Sequence, residues 1–153
     1  MRQSLPQLLA RRFPEVATDL LTPLLRVIQL ARQLCGGDID KFLVLMIVAL
    51  QTTRHKGFSS EPPERLISGE VPVFPGYGTN IRSIADSLDM PKETARRKVQ
   101  DLLEAGWLVR REGLLYFTAR AYQELAPVRQ SIETLAARHF EVVVKLRDRE
   151  APD

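Results

Sequence analysis

The forty residues from 79 to 118 constrain the fold more than any other stretch of this chain. They contain two runs of apolar residues at helical spacing: Ile81, Ile84, Ala85 and Leu88, then Ala95, Val99, Leu102 and Leu103. Asp89-Met90 breaks the spacing between the runs, Pro91 suits the first position of a new helix, and Gly106 ends that helix. The pattern predicts two short helices joined by a tight turn.

A β-hairpin is predicted directly after the second helix. The segments Trp107–Arg111 and Leu114–Thr118 are rich in apolar and aromatic residues, and Glu112-Gly113 between them is typical of a hairpin turn. Since the rest of the chain shows helical spacing or loop composition, the predicted fold is mainly α with one small β-hairpin.

The second predicted helix has a polar face opposite its apolar stripe. That face carries Glu93, Arg97, Gln100 and Glu104, with Arg96 beside them. A helix with one packed and one polar face is suited to the major groove of DNA, which is about 12 Å wide. Glu93 does not oppose this interpretation, because a carboxylate can accept a hydrogen bond from cytosine.

The run Pro91–Arg97 resembles the start of the recognition helix in Crp-type and related bacterial winged helix-turn-helix regulators. Those proteins typically carry a basic residue, Glu, Thr, a small apolar residue and then Arg. Ile84–Leu88 resembles their first helix, and the resemblance covers residues 79–118. The chain departs from the family at Asp89, where Gly is common, and at Lys98, where an apolar residue is common. Asp tolerates the left-handed conformation such a turn needs.

The resemblance implies a sequence-specific, double-stranded DNA-binding transcriptional regulator. Its recognition helix, residues 91–105, would lie in the major groove, and its wing, residues 107–118, on the backbone or in the minor groove. Base edges would be read by Lys92, Glu93 and Arg97. The backbone contacts would come from Thr79, Asn80, Thr94, Arg96, Lys98, Arg110 and Arg111. Arg110 and Arg111 can also be interpreted as ordinary solvated charges of an edge strand.

The N-terminal part is predicted to be helical. A first helix starts near Ser4 and is interrupted at Pro14, and a second runs to about Cys35, with Pro23 as a kink or as its true first turn. A third helix, capped by Asp38, reaches about Thr53 and is apolar on all sides, which predicts burial on several sides. No segment here resembles the cyclic-nucleotide-binding barrel of Crp proteins.

A long amphipathic helix is predicted at the C-terminal end. Thr118 can cap a first part, and Pro127 kinks or restarts the helix. The order of helices, helix-turn-helix, wing and terminal helix resembles the MarR arrangement, in which terminal helices form the dimer. We therefore expect a homodimer whose interface includes Val128, Ile132, Leu135, Val142 and Leu146. The alternative is that this stripe packs on the N-terminal helices of the same chain.

The chain is thus expected to divide into four segments: an N-terminal helical region over 1–57, a Pro- and Gly-rich loop over 58–78, a winged helix-turn-helix over 79–118, and a C-terminal helix over 119–153. A long loop in a compact domain is often functional. The loop-like composition already starts at residue 55. We expect this loop to be dispensable for folding and to modulate DNA binding or effector access. It can also be a passive excursion with a short helix near residues 64–67.

Composition limits the remaining function classes. The formal net charge of +3 permits a polyanionic partner without requiring one. Cys35 is the only cysteine and, like His139, suits a buried structural position, so no metal site, cofactor or catalytic pair is expected. The protein is expected to be cytoplasmic and not an enzyme, with room for a small-molecule effector of unspecified chemistry. The competing hypothesis is a winged-helix protein-interaction module that does not bind DNA.

Overall fold

The computed structural model describes residues 3–150. The chain is mainly helical and contains one two-stranded antiparallel hairpin among the described residues, as the sequence predicts. The described residues divide into two compact units, one formed by residues 31–126 and the other by residues 3–30 together with 127–150. Within the described residues, no helix combines the length and apolar character needed to cross a membrane.

The first helix, α1, is continuous from Leu5 to Leu34. The expected interruption at Pro14 is therefore wrong, and both Pro14 and Pro23 lie inside the helix. A proline removes one backbone hydrogen bond and usually kinks or breaks a helix, at a cost of about 3 kcal/mol. The apolar stripe keeps helical spacing across both prolines, so packing along the helix can offset that cost.

The last helix, α8, extends from Ala126 to Glu150. It runs antiparallel to α1, because Arg11 pairs with Glu150 whereas Leu20, later in α1, contacts His139, earlier in α8. Their shared core contains Leu8 and Val16 from α1 and Val142 and Leu146 from α8. His139 is half-buried, and its Nε2 atom lies 2.9 Å from the Leu20 carbonyl oxygen. These contacts place part of the predicted C-terminal stripe against the N-terminal helix of the same chain.

The middle unit is built around α2, Ile39–Thr53. Asp38 caps it as predicted, since its carboxylate accepts the Lys41 N–H at 3.0 Å. Val44, Leu45, Val48 and Thr52 form its buried face. The opposite side is less covered than an all-apolar helix predicts, because Leu43 and Leu50 are each 41% exposed. Cys35 is buried, and desolvation raises the pKa of its thiol to about 11.

Residues 55–78 form a packed part of the middle unit. Two short helices, α3 at Lys56–Ser59 and α4 at Pro63–Ser68, lie here, and α4 confirms the short helix expected near residues 64–67. Phe74 is 1% exposed, and its N–H donates to the Phe117 carbonyl at 3.0 Å. The segment therefore supplies a core side chain, which argues against the expectation that it is dispensable for folding.

The remaining elements follow in the predicted order. They are α5 at Ile81–Leu88, α6 at Lys92–Glu104, β1 at Leu108–Arg111, β2 at Leu114–Phe117 and α7 at Ala119–Glu124. Thr118 caps α7 as expected, because its hydroxyl accepts the Ala121 N–H at 3.2 Å. The chain leaves helical geometry at Leu125 and α8 then begins, which confirms a restart next to Pro127.

Candidate nucleic-acid interface

The turn between α5 and α6 has the left-handed residue that the sequence predicts. Asp89 adopts φ 50° and ψ 46°, and the Met90 N–H donates to the Ala85 carbonyl at 3.0 Å. Pro91 takes the capping position, with φ −57° and ψ 138°, one residue before the helical position expected for it. Asn80 caps the start of α5 through the Ser83 N–H at 2.9 Å. Asp89 and Pro91 therefore fix the two ends of the turn, and Asn80 fixes the start of α5.

Each of the two helices has a small residue on its buried side. Ala85 is 5% exposed and Ala95 is fully buried, and both lie on the inner faces of α5 and α6. Ile84, Val99 and Leu102 are also buried. Because the apolar stripe of α6 is buried, the opposite face of this helix lies in solvent, and Lys92 and Arg97 on it are exposed.

Glu93 and Arg96 on that exposed face form a two-pronged ion pair. The guanidinium Nε lies 2.8 Å from one carboxylate oxygen, and the terminal nitrogen lies 2.6 Å from the other. This hydrogen bonding lowers the pKa of the Glu93 carboxyl and raises the pKa of the Arg96 guanidinium. The carboxylate assigned to base reading and the arginine assigned to the backbone thus neutralise each other in the free protein.

Two other residues of the predicted interface are held inside the middle unit. The Lys98 ammonium lies 2.5 Å from a carboxylate oxygen of Asp38, which ties α6 to the start of α2. Partial burial of Asp38 raises its pKa, but the hydrogen bonds from Lys98 and the Lys41 N–H outweigh that effect and lower it. Thr79 is 7% exposed, and its carbonyl oxygen accepts the Leu115 N–H at 2.8 Å. Thr94 is half-buried.

The hairpin presents two cations next to its turn. Leu108 pairs with Phe117 and Arg111 with Leu114, and Glu112 and Gly113 form the turn with φ values of 50° and 77°. Positive φ at both central residues is the signature of a type I′ turn, whose twist matches that of the strands. Arg110 and Arg111 are exposed, and no ion pair with a carboxylate of residues 3–150 is found for either.

Sequence reasoning missed one exposed cation near this surface and the internal role of another. Arg82, in the first turn of α5, is exposed and makes no ion pair with the described residues. Its place two residues after the cap Asn80 was a usable signal. The engagement of Lys98 by Asp38 had no local signal, because the two residues are sixty positions apart.

A cavity of about 660 Å³ lies beside the hairpin within the middle unit. The buried Phe74 and the exposed Arg111 are both among its lining residues. The other lining residues are His55, Val73, Pro75, Gly76, Glu112 and Tyr116. Arg111, the last residue of β1, therefore belongs both to the exposed surface and to the lining of a cavity.

No family model matches the chain, and neither the curated proteins nor the solved structures contain a match.

Proposed function

We propose that residues 79–118 form a winged helix-turn-helix and that the protein is a sequence-specific, double-stranded DNA-binding transcriptional regulator acting as a homodimer. The observation that carries the proposal is the pair of short helices α5 and α6, joined by a tight turn and with Ala85 and Ala95 buried, together with exposed cations on the second helix. A helix held in this way can place the residues of its first turns against base edges.

The order of the elements supports the proposed fold. Thr79 forms an isolated antiparallel bridge with Leu115, so a short third extended segment lies beside β2. Along the chain, the order of elements in the middle unit is then α2, the short extended segment at Thr79, α5, α6 and the hairpin, and residues 54–78 are inserted after α2. The hairpin is the wing of this arrangement, and Arg110 and Arg111 are its phosphate-contacting residues in the proposal.

On DNA, α6 occupies the major groove. Lys92 and Arg97 reach base edges, because both are exposed in the first two turns and neither is engaged in an ion pair with the described residues. Glu93 reads a base only when Arg96 moves to a phosphate, which would break their ion pair. Asn80 and Arg82 lie at the start of α5, where backbone contacts are made. The side chains of Thr79 and Lys98 serve the framework instead.

The experiment that tests the proposal is a fluorescence-anisotropy titration with labelled duplex DNA at two salt concentrations. The test variant replaces Lys92, Arg97, Arg110 and Arg111 by Ala. The control removes the same charge elsewhere by replacing Arg26, Arg54, Arg138 and Lys145, which are all exposed. The proposal requires the test variant to lose binding while the control retains it, because only the first set contacts phosphates and bases. Equal losses in both variants would indicate attraction by net charge alone.

The protein-interaction alternative has a distinct result in the same experiment. If the wild-type protein binds duplex DNA no better than the test variant with four substitutions at physiological salt, the α6 face and the hairpin do not contact DNA. The exposed surface would then fit a protein partner, as winged-helix scaffolds also permit.

A further inference from the structure

The unit formed by α1 and α8 has two different sides. Leu20 and His139 meet across the pair, and the two helices run in opposite directions. In a right-handed helix each residue is turned by about 100° from the one before it. Consider two residues that face each other across an antiparallel pair of helices. The residue before each of them in the sequence lies on one side of the pair, and the residue after each of them lies on the other side.

The preceding side is polar. Asp19 and Arg138, which precede Leu20 and His139, line one shallow pocket together with Glu141 and Lys145. Farther along, a second pocket on the pair combines Arg26 and Leu30 of α1 with Pro127, Gln130, Ser131 and Thr134 of α8. Both pockets are shared by the two helices, which confirms that these charged residues occupy a common side.

The following side is apolar. Leu21 and Phe140, which follow Leu20 and His139, are 52% and 68% exposed. At helical spacing from them, further exposed apolar side chains continue the same stripes: Phe13, Leu24 and Ile28 on α1, and Ile132 and Val144 on α8. No charged residue lies within the α1 stripe between Phe13 and Ile28, whereas the α8 stripe includes one, the exposed Glu133, which lies seven residues before Phe140. We name these seven residues the apolar face of the helix pair.

The apolar face is as large as the largest apolar patches that monomers leave in water. From the exposed fractions of its seven side chains, it amounts to roughly 600 Å² per chain, at the upper end for the largest patch on a monomer. Two such faces together reach about 1,200 Å², where stable specific interfaces begin. A two-fold axis allows one largely apolar patch to pack on its own copy, because the same surface is then used by both chains.

We propose that this apolar face is covered by the same face of a second copy of the chain, which makes a four-helix interface. The proposal deepens the homodimer of the proposed function by naming its surface, and it rests on that function only for the use of two DNA half-sites. It also revises the predicted interface. Val128, Val142 and Leu146 are buried within one chain and Leu135 is half-buried, whereas Ile132 belongs to the apolar face.

Sedimentation velocity without DNA tests the proposal on the full-length protein. The test variant is Leu21→Glu with Phe140→Glu, both at exposed positions, so the helix pair itself can still form. The control is Gln130→Glu with Thr134→Glu on the polar side of α8, which adds the same charge. Wild type and control should sediment at twice the 17.4 kDa chain mass at micromolar concentration, and the test variant at the mass of one chain.

Circular dichroism would reveal whether the two glutamates unfold the protein. In that case a second double variant with uncharged substitutions, Leu21→Gln with Phe140→Ser, replaces the first as the test. This pair should raise the dimer dissociation constant at least tenfold. A monomeric wild type at every soluble concentration, or a dimer that all the variants preserve, would overturn the proposal. A separate titration with a single DNA half-site distinguishes the two proposals, because DNA binding by a monomeric variant leaves the proposed function intact.

Discussion

At the scale of single residues, the free interface holds two kinds of cation. Arg96 is paired with Glu93 and Lys98 with Asp38, whereas Lys92, Arg97, Arg110 and Arg111 are exposed without an ion pair to the described residues. An unpaired exposed cation can move to a base or a phosphate without first losing an internal partner. The unpaired set is therefore expected to dominate DNA affinity.

Arg97→Ala is predicted to weaken binding to the specific site by about 1–3 kcal/mol, the value of one good bidentate contact to a base. The loss on random DNA should be much smaller, because there the arginine has no matching base edge. Anisotropy titrations on both duplexes measure this difference, with Lys145→Ala as the control for charge. Equal losses on the two duplexes would show that Arg97 contacts only phosphate.

The double replacement of Arg110 and Arg111 by Ala addresses the wing. If both residues neutralise phosphates, the slope of log affinity against log salt should become shallower by up to about 2, since each phosphate contributes roughly 0.9. The ranking of operator variants should stay unchanged, because phosphates carry no base identity. An altered ranking would place one arginine in the minor groove, and an unaltered slope would remove the wing from the interface.

At the scale of the elements, local chemistry explains which parts the sequence predicts well. Asp89 and Pro91 predict the tight turn, and Glu112-Gly113 predicts the hairpin. Both predictions succeed because a left-handed backbone position, or the start of a helix, favours particular residue types at that position. The continuity of α1 through Pro14 and the Asp38–Lys98 pair depend on packing between distant segments. Such contacts leave no local pattern, so the sequence could not show that Lys98 is withdrawn from the interface.

Asp38→Asn tests the link between α2 and α6. Asn can still cap α2, but it removes the carboxylate that accepts from Lys98. Since the folded-state pKa of Asp38 is lowered, its contribution to stability is present above the unfolded pKa and lost as the pH falls through the folded pKa. Wild-type stability should therefore fall more steeply than that of the variant in this acidic range, as chemical denaturation at several pH values would show. Identical pH profiles would contradict the proposed link.

Phe74→Ala tests whether residues 55–78 belong to the core. The ring is 1% exposed and packs near the rings of Phe58, Phe117 and Tyr122. Its removal should lower the free energy of unfolding by about 3–5 kcal/mol. The matched control, Tyr77→Ala in the same segment, removes an aromatic ring that is 56% exposed and should cost far less. A comparable melt for both variants would restore the interpretation of the segment as a dispensable excursion.

At the scale of the whole molecule, the chain separates two tasks between its two units. The middle unit contains the proposed DNA-binding surface, and the helix pair contains the apolar face that we assign to a second copy. A dimer of this kind presents two recognition helices, so its binding site is expected to contain two half-sites related by symmetry. Sequence reasoning anticipated a dimer through the terminal helices, but only the pairing of α1 with α8 distinguishes the residues they bury from those they expose.

The measurement that tests the central claim most directly is selection of binding sites by the purified protein from a library of random duplexes. The account predicts enrichment of one sequence made of two symmetric half-sites. It also predicts that replacing Lys92 and Arg97 by Ala abolishes the enrichment, whereas replacing Arg138 and Lys145 does not. A library that remains random after repeated selection by folded wild-type protein would contradict sequence-specific DNA binding.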